Sequence, residues 1–323
     1  MTKKRFKTKL TAFFLLFALL ISQISGTALA ASTRPADVSK AASGNILTKV
    51  SGTFEYVSKT KILKRINGIR KEACTKGYIN PSTGKKLTSS DYVPIKWSSN
   101  LEWIAQLRAA ECTVNESHTR PNGKTCFSIQ RNGEQSWAEN LAWNYSGIMQ
   151  GIEQWYSEKD DWVNQNSNAV TGHYTSLINP NYKFIGLGSF LRDTGGWYGV
   201  SAEFGYTTSG SQAKSKVKGK TVQTIEVKKS NVKNSKLNAP SSIKVKKTKT
   251  LSISCNITYP GIMGGSNTSK GTVAKGITWK SSKPSVISVS SSGKITAKKA
   301  GKATITAKVK GGVTVKKTIT VKK

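Results

Sequence analysis

Only two histidines occur in this 323-residue chain, His118 in ESHTRPNG and His173 in TGHYTSLINP. Two carboxylates stand in comparably distinctive words, Glu139 in SWAENLAW and Glu158 in QWYSEKDDW. Neutral imidazole nitrogen is a good ligand for zinc-like divalent cations, and a nearby carboxylate orients the ring or holds a bound water. A carboxylate beside an imidazole also raises the proton affinity of the ring, so occupancy by a cation would depend on pH. The same four side chains could instead tie the walls of a cleft together by charge-assisted hydrogen bonds. For catalysis, Glu139 or Glu158 would have to serve as general base to a metal-activated water. The chain has no G-x-S-x-G elbow, no H-E-x-x-H helix and no cysteine set beside a histidine by a motif.

These residues need elements to bring them together. SKTKILKRINGIRKEAC places Ile62, Ile66 and Ile69 at helical spacing, and SSNLEWIAQLRAAECTV predicts a second helix. Ser99 with Glu102 three residues later reads as its capping box, with Leu101, Ala105, Leu107 and Ala109 as apolar contacts. His118 follows that helix directly. YSGIMQGIEQWYSEKDDWV predicts a third helix with Ile148, Ile152, Trp155 and Tyr156 on one face. Glu158 falls at the edge of that face and points inward, whereas Glu153 and Asp160 read as surface charges. FIGLGSFL and WYGVSAEFG predict two strands joined by RDTGG. GLGSF lies within a strand, so it is no nucleotide loop. Trp97, Trp103, Trp143, Trp155 and Trp162 read as core.

Charge divides the chain. Residues 31–206 hold 20 basic and 15 acidic side chains, whereas residues 207–323 hold 26 lysines and a single acid, Glu226. Such a half is either a solvated, self-repelling face or an attractor of polyanions. It has no arginine and few aromatic residues, which disfavours nucleic acid. At the N-terminus, five Lys or Arg in residues 3–9, the run AFFLLFALLI and the closing GTALAA predict a secretory signal peptide over 1–30. The run is shorter than the roughly 20 residues needed to cross a bilayer, and no second long apolar run follows, so no transmembrane helix is expected after signal removal. Export permits disulfides. Of the four cysteines, Cys112 and Cys126 bracket a short loop and are the expected pair.

In order along the chain, SHTRPNG, AENLAW, QWYSEK and GHYTSLINPNYKFIGLGSF resemble the CAP superfamily of cysteine-rich secretory, antigen 5 and pathogenesis-related-1 proteins. The resemblance covers roughly residues 58–206 and implies an α-β-α sandwich whose cleft is lined by His118, Glu139, Glu158 and His173. The family's Gly-Glu-Asn reads Ala138-Glu139-Asn140 here, which leaves the carboxylate in place. GITWKSSKPSVISVSSSGKITAKKAGKATITAKVKGG resembles the bacterial immunoglobulin-like group 2 domain. Its period-two alternation predicts a small β-sandwich. The expectation is an α+β fold: signal peptide 1–30, lead-in 31–57, CAP-like domain 58–206, Lys/Ser/Gly linker 207–236 and all-β Ig-like domain 237–323. The resemblances imply a secreted, extracellular or cell-wall-associated bacterial binding module. Its cofactor would be a divalent cation such as zinc, and its partners an anionic wall polymer and a lipid or sterol-like ligand. A metal-assisted hydrolase of peptide or wall material is the alternative.

Overall fold

The structure, a computed structural model, describes residues 32–323, and the expected signal peptide lies outside them. Strands β1 (Ser32–Arg34) and β2 (Asn45–Phe54) precede helix α1 (Lys59–Lys76). Ser58 Oγ caps α1 by accepting from the Lys61 amide, and Gly77 closes it in the left-handed region at φ 67°. Ile62, Ile66 and Ile69 form its buried face. The short β3 (Lys96–Trp97) leads into α2 (Ser99–Cys112). The cap of α2 lies one residue earlier than the sequence predicts: Ser98 Oγ accepts from the Leu101 amide. Glu102, expected in a capping box, is buried and accepts from Trp97 Nε1 at 2.9 Å.

Next come β4 (Ala138–Asn144), which sequence reading missed, then α3 (Ile148–Tyr156), α4 (Lys159–Val163) and α5 (Gly172–Ile178). The single third helix expected over this stretch is thus two, broken at Ser157–Glu158. Strands β5 (Phe184–Arg192) and β6 (Tyr198–Gly205) complete an antiparallel β4-β6-β5 sheet. Ile185 and Leu187 of β5, with Val200, Ala202 and Phe204 of β6, pack against the apolar faces of α1, α3 and α5. Helix α2 lies on the opposite face, brought close by glycines: a Cβ at Gly186 would meet the Glu102 amide nitrogen at 2.0 Å, and one at Gly188 would meet the Gln106 backbone at 2.7 Å.

Two segments expected to be irregular are strands. Residues 31–57 contain β2, and residues 207–236 contain β7 (Gly219–Lys228) and part of β8 (Val232–Asn238). β2 pairs with β7 along its full length, from Asn45↔Lys228 to Phe54↔Gly219. Threonine, lysine and glycine hide the strand pattern in both, yet Val50, Phe54, Ile225 and Val227 alternate into the core. Even the stretch before β7 is strapped down, with Lys214 Nζ and Ser215 Oγ donating to Glu102 Oε1 at 3.1 and 2.6 Å. The expected Cys112–Cys126 disulfide is absent; all four cysteines are free and buried.

The remaining chain is strand-rich: β9 (Ser242–Lys244), β10 (Thr248–Thr250), β11 (Ser252–Pro260), β12 (Ser266–Val273), β13 (Ile277–Ser281), β14 (Ile287–Val289), β15 (Lys294–Ala297), β16 (Gly301–Val309) and β17 (Thr314–Lys322). β13-β16-β17-β9 and β10-β15-β14 form two sheets, whereas β8, β11 and β12 extend the first sheet through β12–β2 pairing. Period two is visible in β16, where Ala303, Ile305, Ala307 and Val309 are buried and Lys302, Thr304, Thr306 and Lys308 face outward. The glycine contact under α2 is testable. Gly186→Ala should destabilise the chain by about 1–3 kcal/mol or more in denaturant titration, because backbone must move to admit the methyl. Gly172→Ala, with open space around it in α5, should be neutral or stabilise by up to about 1 kcal/mol.

Candidate functional site

The four candidate residues gather beside β4, which lies at one end of the sheet order and pairs with β6. Consecutive residues of a strand point to opposite faces, so Glu139 and Asn140 reach both layers. Glu139 faces the α2 layer, where His118 Nδ1–H donates to its Oε1 at 2.8 Å. Asn140 faces the other layer, and its amide donates to the carbonyl of His173 at 2.9 Å. There His173 Nδ1–H donates to Glu158 Oε1 at 2.5 Å. The two imidazoles come together with centroids 6.5 Å apart and planes inclined by 24°. Their side chains are 57% and 26% exposed, so both are reachable from solvent.

Local structure explains each placement. His173 and Tyr174 sit in the first turn of α5, where backbone N–H groups lack helical partners. Glu158, at the break between α3 and α4, accepts both amides on Oε2 at 3.0 Å each while Oε1 holds the imidazole. On the other side, Arg108 of α2 donates through Nε and Nη2 to the two oxygens of Glu139 at 2.5 and 3.2 Å. Arg108 also bonds Glu111 at 2.9 Å, Glu111 bonds Arg120 at 2.7 Å, and Arg120 grips Asp37 twice at 2.9 Å. The side chains of Arg108, Glu111, Glu139 and Arg120 are wholly inaccessible. Burial pushes the Glu139 carboxyl up, but the Arg108 charge and the hydrogen bonds from His118 and Arg108 outweigh it and hold it down at about 2.

Sequence reading missed Arg108, Glu111, Arg120, Asp37, Cys126 and Glu203. For Arg108 and Glu111 a signal existed, since Leu107, Ala109, Ala110 and Cys112 leave them little polar face to occupy. For Cys126 there was none. It stands in a short 3-10 turn, yet its sulfur lies with ligand atoms of His118 and Glu139 in a group whose members are within 4.8 Å of one another. Glu203 pairs with Glu139 across β6 and β4. It is fully buried, accepts from Ser201 Oγ at 2.7 Å and leaves Oε2 without a partner. Burial, then the Glu139 charge, push its carboxyl far above the usual carboxylate range.

An apolar cavity of about 310 Å³ opens beside His173 and Glu158, walled by Leu141, Trp143, Trp155 and Trp197. Trp155, expected in the core, is indeed 1% exposed yet contributes an edge to this wall.

Residues 63–204 match the model of CAP, the cysteine-rich secretory protein family. This segment is a CAP domain. Similar proteins include venom allergen 5 of Vespa velutina, 25% identical over 158 residues that span 48% of this chain and 76% of the wasp protein. Venom allergen 5 of Vespa magnifica is also 25% identical, over 52% of this chain and 71% of its own length. Among solved structures, venom allergen-like protein 4 of Schistosoma mansoni aligns with TM-score 0.32 and 17% identity, over 49% of this chain and 97% of that one. No helix among the described residues is long and apolar enough to cross a membrane.

The two buried carboxyls of the CAP domain should titrate in opposite senses. Folded Glu139 stays ionised down to about pH 2, whereas the unfolded carboxyl titrates near 4.5. Its stabilisation is therefore complete above about pH 5 and is lost as pH falls toward 2. Glu139→Gln should cost about 3–5 kcal/mol at pH 7 and progressively less below pH 4. Folded Glu203 keeps a proton that the unfolded chain releases above its ordinary value of 4.5, so it lowers stability as pH rises past that value. Glu203→Gln should flatten the decline between pH 5 and 8. Denaturant midpoints of the three proteins across pH 3–8 check both signs.

Proposed function

We propose that this chain is an exported, non-enzymatic binding module whose cleft takes a divalent cation together with a small amphiphilic ligand. The observation that carries this reading is the shared state of the two imidazoles. Each commits Nδ1 to a carboxylate, which leaves Nε2 as the free ring nitrogen, and the rings lie 6.5 Å apart at an accessible edge. Carboxylate-oriented imidazoles suit zinc, whose nitrogen ligands sit at ~2.0–2.1 Å. His118 and His173 would hold the ion, Glu139 and Glu158 would orient the rings, and positions left open would remain for ligand or water. The cavity beside Glu158 and His173 supplies an apolar compartment for the rest of the ligand.

The hydrolase alternative requires a carboxylate of moderate basicity. Glu139, held at about 2 and engaged by Arg108 and His118, makes a poor base at neutral pH. Glu158 already accepts three N–H groups. Both arrangements favour positioning over proton transfer.

The C-terminal region supplies the second half of the proposal. With 26 lysines against one acid over residues 207–323, it would attract an anionic wall polymer and retain the module at a bacterial surface.

Calorimetric titration with zinc should show one site in the wild type, with affinity falling at least tenfold in His118→Ala and His173→Ala, and by about 10–100-fold in Glu158→Gln. Equal affinities in all four proteins would remove the cation from the proposal. Retention on a phosphate-rich polymer should weaken steeply between 0.1 and 1 M salt, as the screening length drops from ~10 to ~3 Å. Retention independent of salt would overturn the charge-based anchor.

A further inference from the structure

We propose that Ile262 and Met263, at the tip of the β11–β12 hairpin and outside the CAP domain, form the specificity-determining wall of its cleft. The proposal rests on the binding reading above. Both side chains line the same cavity as His173, Glu158 and Trp197. They are 56% and 87% exposed, in a half of the chain whose other large apolar side chains, among the described residues, are buried or half-buried. Adjacent large apolar side chains held in water gain by being covered, and a thioether adapts readily to an irregular apolar partner.

The tip is held in place. Pro260↔Ser266 closes the hairpin, and Gly264 and Gly265 turn it at φ 86° and 70°. The Ile262 amide donates to Glu116 Oε2 at 2.8 Å, and Asn267 Nδ2 donates to Glu116 Oε1 at 3.1 Å and to the Thr113 carbonyl at 2.9 Å. Arg192, at the end of β5, grips Asn267 from the side at 3.1 Å. Glu116 lies two residues before His118, so one loop both presents the imidazole and clamps the hairpin. Trp197, in the same lining, is braced by Tyr145 with ring centroids 5.2 Å apart. The walls are apolar except at Gln154 and the His173–Glu158 edge, and a volume of about 310 Å³ lies at the small end of the ~300–1,000 Å³ range of ligand pockets. The occupant that fits is one aliphatic chain carrying a single anionic head, with the head at the imidazoles and the chain against Ile262 and Met263. A cation held by the two imidazoles, as proposed above, would be met by an anionic head, and the apolar walls by its chain.

The test uses the full mature chain with three probes: zinc alone, acetate as a head without a chain, and dodecanoate. Wild type should bind dodecanoate well above acetate. The Ile262→Ser/Met263→Ser double variant should lose about tenfold or more of the dodecanoate affinity, the scale of removing two apolar contacts. Met263→Leu should restore affinity to within about threefold of wild type. Zinc binding by the double variant should be unchanged, which also reports an intact cleft. Equal dodecanoate affinity in wild type and double variant, or no preference of wild type for dodecanoate over acetate, overturns the proposal. Loss of zinc binding from all proteins with dodecanoate discrimination intact would sink the cation reading and leave the wall standing.

Discussion

A continuous chain of buried charges, Asp37–Arg120–Glu111–Arg108–Glu139, sets the position of everything in the cleft. Taking such groups out of water is costly, and they persist only where each charge is paired and each donor satisfied. Here nearly every oxygen and guanidinium nitrogen has a partner, so the chain tolerates little displacement. Three carboxylates face two guanidiniums, and both ends of the chain are carboxylates, Asp37 at one and Glu139, against His118, at the other. The carboxyl of Glu203, across from Glu139, is pushed far above the usual carboxylate range, first by burial and then by the Glu139 charge.

The other imidazole is positioned by a different interaction with the same outcome. Glu158 answers two unpaired amides at the start of α5 and one ring nitrogen at once. His173 is therefore oriented by helix geometry, and His118 by the buried ion network. The two systems meet through one strand, because neighbouring residues Glu139 and Asn140 of β4 serve opposite layers. The cleft is a seam between layers rather than a feature of either one.

A second seam joins the two parts of the sequence. β2 lies along β7 throughout, and its other edge touches β5 at one end and β12 at the other. A single strand thus carries the first sheet into the lysine-rich half and orients the β11–β12 hairpin toward the cleft. The first carboxylate of the ion network, Asp37, stands between β1 and β2, so the residues ahead of the CAP domain support both its cleft and the link to the strands that follow.

Much of this was legible before any fold was known. His118, His173, Glu139 and Glu158 stand out by rarity and by the words around them. The helices with Ile62, Ile66 and Ile69 or with Ile148, Ile152 and Trp155 declare themselves by spacing, because local periodicity reports one buried face. FIGLGSFL and WYGVSAEFG declare strands by composition, although that α2 rests on Gly186 and Gly188 is seen only in the fold. Some features escaped that reading because they rest on partners far apart in sequence. β2 and β7 mix polar with apolar residues and become strands through distant partners, each other some 170 residues apart and β5, β12 and β1 besides. Arg108, Arg120, Asp37 and Glu203 acquire meaning only when burial removes water and forces each charge to find another or to lose its own. Residue types and local pattern determined which side chains could do chemistry; tertiary packing decided which of them met, in which charge state, and that Ile262 and Met263 from beyond the CAP domain stand at the same cleft.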